Sequence, residues 1–172
     1  MSRSVTVDEL IGTGAKTAEQ IDALFTTLAS VSIQTLQGIW RAVAIPGVSP
    51  QYQLMIEKGW YGMRLTDQNS VDSLLIANPE GTGIFAADLF KLAAALPANP
   101  AHLSQIRSEI ETDQPTGRLR LIDYRGTVSA AMIYDRQPVI DYFRTIDDTT
   151  VLCTVEARDI TGNAYLILQR TT

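Results

Sequence analysis

Arg118-Leu119-Arg120-Leu121-Ile122-Asp123-Tyr124-Arg125-Gly126-Thr127-Val128-Ser129-Ala130-Ala131-Met132-Ile133-Tyr134 contains two alternating runs joined at Arg125-Gly126. Alternation puts successive side chains on opposite faces, and a short turn carrying glycine lets the second run fold back on the first. The segment therefore predicts a β-hairpin. A second hairpin is predicted from Thr150 to Ala157 and Ala164 to Arg170, across Asp159-Ile160-Thr161-Gly162-Asn163. Earlier strands are predicted over Leu36 to Ile45, Gly59 to Leu65 and Val71 to Ala77, the first closed by Pro46-Gly47 and the last by Asn78-Pro79-Glu80-Gly81.

Helices punctuate this pattern. Thr17-Ala18-Glu19-Gln20 fits a capping box, and Ile21, Leu24, Phe25 and Leu28 recur behind it at helical spacing. Residues 50–58 give a second, short helix. Ile84 to Leu96 predicts a buried helix, or a strand-like start followed by one, ending at Pro97. Asn99-Pro100 opens another, with Leu103, Ile106 and Ile110 on one face. After a turn at Asp135 to Pro138, Val139, Ile140, Phe143 and Ile146 mark a further short helical stripe. Gly12-Thr13-Gly14 reads as a loop. The expectation is an α+β, mostly β chain: a small antiparallel β-barrel or strongly curved sheet, with an N-terminal helix and two to four further short helices.

Composition narrows the function. With 172 residues, 45% apolar and 19% charged, the chain suits one domain over residues 1–172 with a sizeable core. A net charge of −5 disfavours nucleic acid, whose phosphates need clustered cations. Cys153 and His102 each stand alone, so no intrachain disulfide, His pair or thiolate cluster can form. No apolar run approaches a membrane span, and the first residues carry no signal-peptide pattern, which predicts a soluble, cytoplasmic protein.

Candidate ligand contacts come from the aromatic and small residues. Trp40 sits mid-strand, and Trp60-Tyr61 lies between Gly59 and Gly62, which would let a backbone pass close to something bulky. An aromatic-lined pocket is one reading; a Trp40 that plugs one end of a barrel is the other. Ala130, Met132 and Tyr134 share a strand face on which the small alanine could leave a cavity. Arg41, Arg64, Arg118 and Arg120 could hold an anionic head group, with Tyr124 beside them, or face solvent. Asp135, Asp141, Asp147 and Asp148 match no calcium loop; Asp141 is expected to pair with Arg144, and no metal, cofactor or catalytic residue is predicted.

Three groups of residues carry a resemblance. Gly38-Ile39-Trp40-Arg41-Ala42 and Gly59-Trp60-Tyr61-Gly62 resemble the first part of a two-part family, the GXWXG proteins. Tyr124-Arg125-Gly126, Met132-Ile133-Tyr134-Asp135, Gln137-Pro138, Asp141, Phe143-Arg144 and Asp147-Asp148-Thr149 resemble the domain of unknown function that follows that motif. The GXWXG-like part covers about 17–78 and the C-terminal part about 115–172, sharing one core. Ala42 departs from the motif's second glycine. The resemblance implies a barrel akin to lipocalins and fatty-acid-binding proteins, whose first strand also carries Gly-x-Trp. The leading functional expectation is non-enzymatic binding of a lipid, fatty acid or other small hydrophobic molecule. An enzyme using Asp/Tyr acid–base chemistry, with Asp123 or Asp135 as the carboxylate, is the alternative. A further one is an interaction module, or a homodimer pairing through Ala164 to Leu168 as an open edge.

Overall fold

The computed structural model describes residues 6–12, 16–158 and 161–171. Thr13 and Gly14 of the expected glycine loop, and Asp159 and Ile160 of the second hairpin turn, lie outside the described residues. In chain order the elements are α1 (Val7–Ile11), α2 (Ala18–Thr27), α3 (Ile33–Leu36), β1 (Gly38–Ala44), α4 (Pro50–Glu57), β2 (Trp60–Asp67), β3 (Ser70–Ala77), β4 (Ile84–Ala87) and α5 (Leu89–Ala95). Two short 3₁₀ turns, at Leu96–Ala98 and Leu103–Ile106, lead to α6 (Arg107–Ile110). Then come β5 (Gly117–Tyr124), β6 (Thr127–Tyr134), β7 (Val139–Asp147), β8 (Thr150–Ala157) and β9 (Ala164–Arg170).

The strands run antiparallel in the order β2-β1-β9-β8-β7-β6-β5-β3-β4, and β2 also pairs with β3. That extra pairing closes eight strands into a barrel, with β4 laid outside along β3. Both hairpins form where alternation places them. At the first turn Arg125 (φ 55°) and Gly126 (φ 77°) both take positive φ, the geometry that matches the twist of a two-residue hairpin.

The seam between β3 and β5 is thin. Its ladder holds one register pair, Val71 with Gly117. Thr116 reinforces it: its N–H donates to the Val71 carbonyl at 2.8 Å, and its hydroxyl accepts from the Ser73 N–H at 2.9 Å and meets the Ser73 hydroxyl at 2.8 Å. Arg120 adds a bond to the Gln68 carbonyl at 2.6 Å.

Strands β6 to β9 bury apolar residues on both faces. Trp40, Ala42, Trp60, Met63, Leu119, Ala130, Met132, Phe143, Cys153, Leu166 and Leu168 fill the interior. Ile45, Ala131, Tyr142, Leu152, Tyr165 and Ile167 face outward, where Ile21 and Phe25 of α2 cover them. Burying Ile21 and Phe25 stabilises the fold by about 1.5–3 kcal/mol each. The capping box at Thr17 and Gln20 starts α2 as expected, and the Asp22 carboxylate ties the helix to Arg125 and the Tyr165 hydroxyl.

Three expectations need correction. Val139 to Ile146 is not a helical stripe but part of β7, paired on both sides with β6 and β8. Because both faces of β7 are covered, its apolar residues fall at spacings that imitate a helix. Asp141 does not pair with Arg144: three residues apart on a strand, they point to opposite sides of the wall. Ala164 to Leu168 is no open edge, since β9 bonds to β1 on one side and β8 on the other. Ile84 to Leu96 resolves into β4 and α5, split at Asp88, whose carboxylate caps the Phe90 N–H at 2.7 Å.

Glycine is required at Gly62, where φ is 151° and a Cβ would fall 1.9 Å from the Trp40 carbonyl oxygen. Gly62→Ala is expected to cost about 3 kcal/mol or more in urea unfolding. Thr116→Val, which strips the seam of its side-chain hydroxyl and leaves buried Ser73 without that partner, is expected to cost about 1–3 kcal/mol in the same measurement.

Candidate functional site

The two ends of the barrel differ. At one end the chain leaves α3 and enters β1, and Trp40 is 1% exposed there. Its indole N–H donates to the Leu36 carbonyl at 2.6 Å. The Arg170 guanidinium lies 4.4 Å from the ring centroid and bonds the Gln37 carbonyl at 2.6 Å and the Thr35 carbonyl. Gly38 leaves room for it, because a Cβ there would sit 2.9 Å from Arg170 Nη1. This end is plugged.

At the other end α4 and α5 span the mouth and leave a pocket of about 400 Å³. Tyr52 and Met55 line it from α4, Leu89 and Leu92 from α5, and Trp60, Leu74, Tyr134, Val139, Asp141, Val155, Ala157 and Leu166 from the strands. Gln51 and Leu96, both exposed, mark where it reaches the surface. Tyr52 and Trp60 lie with ring centroids 5.6 Å apart, tilted by 50°.

Within these walls sits one carboxylate. Asp141 is 2% exposed. Its Oδ2 accepts only a long 3.4 Å bond from the Tyr134 hydroxyl, and its Oδ1 has no hydrogen-bond partner among the described residues. Burial pushes its carboxyl from 3.8 up to about 7, with the Tyr134 hydroxyl pulling slightly the other way. Burial likewise raises the Tyr52 and Tyr134 hydroxyls and the Cys153 thiol, and the nearby Asp141 charge adds to each shift. All three stay neutral near pH 7. The pocket thus presents an apolar hollow with one acid able to exchange a proton near neutrality, and an acceptor oxygen without a donor.

Of the residues that the sequence singles out, Trp60 and Tyr134 line this pocket. The structure places the others elsewhere. Trp40 plugs the opposite end. Ala130 and Met132 are buried in the interior packing, outside the pocket lining. Tyr61, half-buried, lies outside the lining too. Tyr124 is on the outer wall under α2, stacked on Tyr142 with centroids 3.7 Å apart. Arg41 bonds Gln169 at 2.7 Å, Arg64 pairs with Asp72 at 2.6 Å, Arg118 with Asp135 at 2.6 Å, and Arg120 holds Gln68 and Asn69. No arginine or lysine is among the residues that line the pocket, so none of these four is placed to hold an anionic head group there. Asp123 and Asp135 are exposed, away from it.

Sequence reasoning missed Asp141 and Tyr52. A strand reading of 139–147 would have found the first, because Val139, Asp141 and Phe143 alternate on one face and set an acid among apolar neighbours. Tyr52 stands three residues before Met55, which shares its helical face.

Comparison with known proteins agrees with this architecture. The family described as GXWXG protein matches residues 23–81, and the Domain of unknown function (DUF4334) matches residues 115–170. The chain belongs to the family in which the GXWXG part is followed by that domain. No curated protein matches it. A crystal structure of a protein from Thermomonospora curvata superposes with a TM-score of 0.70 at 28% identity, covering 90% of this chain and 88% of that one. Among the described residues, no helix is long and apolar enough to cross a membrane.

The buried carboxyl carries a pH signature. The folded protein keeps on Asp141 a proton that the unfolded chain releases from about pH 4 upward. Its contribution to stability is therefore most favourable below about pH 4 and is lost as pH rises towards about 7, by about 1.4 kcal/mol per pH unit. Asp141→Asn is expected to show a stability advantage over the wild type that is near zero at about pH 4, grows with pH and levels off above about pH 7. Urea unfolding across that range checks it; an advantage independent of pH would exclude a buried ionisable carboxyl.

Proposed function

We propose that this protein binds a small, largely apolar molecule in the mouth of its barrel. One observation carries the reading: the pocket between α4, α5 and the strand ends is walled by aromatic and aliphatic side chains and reaches the surface, while the opposite end is plugged by Trp40. Concave, mostly apolar sites with few placed polar groups are what small-molecule binding requires, and about 400 Å³ lies within their usual size.

Asp141 favours a second reading, proton transfer to or from the bound molecule, because general acid–base catalysis works best when the acid titrates near the working pH. Incubation of the protein with a bound hydrophobic ketone in deuterated water tests it: incorporation of deuterium that Asp141→Asn abolishes supports catalysis, and no incorporation supports simple binding.

The binding reading is tested with an environment-sensitive apolar dye. Saturable one-to-one binding is expected, and Ala157→Trp, which puts an indole at the half-buried rim of the pocket, is expected to weaken it by about tenfold or more. Thermal unfolding confirms that the variant folds. Binding that never saturates, or that ignores Ala157→Trp, would overturn the proposal.

A further inference from the structure

The chemistry of the pocket specifies its occupant more closely, on the footing that the pocket binds a ligand at all. We infer that this ligand is a lipophilic amine, its ammonium group held by Asp141 Oδ1 against the rings of Tyr52, Trp60 and Tyr134.

The first argument is the orphaned oxygen. Buried polar atoms are almost always partnered, and a buried charge is costly unless it meets an opposite charge. Asp141 Oδ1 has no partner among the described residues, and its carboxylate belongs to a side chain 2% exposed. The nearest cation along the strand, Arg144, points away: its guanidinium bonds the Tyr124 carbonyl at 2.9 Å on the outer wall and lies over the Phe25 ring. A ligand that supplies N–H donors and a positive charge satisfies both deficits together.

The second argument is the rings. A cation is attracted to the face of an aromatic ring. Elsewhere in the molecule arginines occupy such faces, with Arg170 over Trp40, Arg136 over Phe90 and Arg107 over Phe85. Tyr52, Trp60 and Tyr134 line the same pocket as Asp141, with Tyr134 hydrogen-bonded to it and Trp60 against Tyr52, and no such cation contact to these rings occurs among the described residues.

Competing head groups fit less well. A carboxylate or phosphate would bring a like charge against Asp141, with no arginine or lysine in the lining to offset it. An alcohol could donate to Oδ1 but would leave the charge unneutralised. The other titratable groups facing Asp141, namely Tyr52, Tyr134 and Cys153, are held neutral by burial and supply no counter-charge. The remaining walls are apolar and suit an alkyl or ring-bearing body.

Calorimetric titration of the full chain with octylamine, 1-octanol and octanoate at about pH 8 tests the inference, since the amine is then cationic and Asp141 ionised. Octylamine is expected to bind at least about tenfold more tightly than 1-octanol, and octanoate most weakly. In Asp141→Asn the amine should lose that advantage while 1-octanol binds as before. Should that variant fail to fold, titration of the wild type at about pH 5 replaces it, where protonation of Asp141 should weaken octylamine about tenfold and leave 1-octanol unchanged. An alcohol or carboxylate that binds as tightly as the amine, or an amine preference that survives both perturbations, would overturn the amine inference. If Ala157→Trp still blocks those probes, the pocket itself stands. Failure of all three probes together with unsaturable dye binding would remove the pocket reading as well.

Discussion

Closure of the sheet at β3 and β5 is the constraint from which the other features follow. Every other seam of the barrel is a ladder of several register pairs, whereas this one rests on Val71 and Gly117. Thr116, Ser73 and Arg120 extend it with side-chain bonds. Such a seam joins strands that no tight turn connects, so it must be made by long-range contacts. Once it is made, each strand has an inside and an outside, and the molecule gains an interior that can be plugged at one end and left hollow at the other.

That division explains the two buried charges of β7. Asp141 and Arg144 sit three residues apart and are separated by the thickness of the wall. Arg144, 1% exposed, lies outside under α2. There backbone carbonyls and the Phe25 ring meet its Nη end while its Nε has no hydrogen-bond partner among the described residues, and burial lowers its proton affinity. Asp141, inside, meets hydrocarbon and one distant hydroxyl, and burial raises its proton affinity into the neutral range. The same strand thus carries a structural cation on one face and a responsive acid on the other. A barrel wall one residue thick keeps them from neutralising each other.

The glycines and aromatics of the two Gly-Trp segments are bound up with closure too. Gly62 lets β2 approach the β1 backbone at Trp40, and Gly59 leaves space for the His102 ring. Trp40 and Trp60, on neighbouring strands, end up at opposite ends with different roles, one capped by Arg170 and one walling the pocket beside Tyr52.

Local pattern made much of this legible. Alternation and turn chemistry define the hairpins of β5 with β6 and of β8 with β9, and the capping box and apolar stripe define α2. Those signals lie within a few residues of each other and need nothing from the rest of the chain. Residues 139–147 are the counter-example: a strand covered on both faces has no polar side, so its period is ambiguous, and reading it as a helix hid Asp141. Trp60 and Tyr134 stand out in the sequence as aromatic candidates, but four arginines stand out equally as head-group candidates, and only their partners outside the pocket separate the two sets. The sequence by itself determined the two hairpins, the mostly β class and the family. Tertiary structure alone decided which residues share the pocket, because α4, α5 and the strand ends meet there only after closure, and the burial that tunes Asp141 is a property of that assembly.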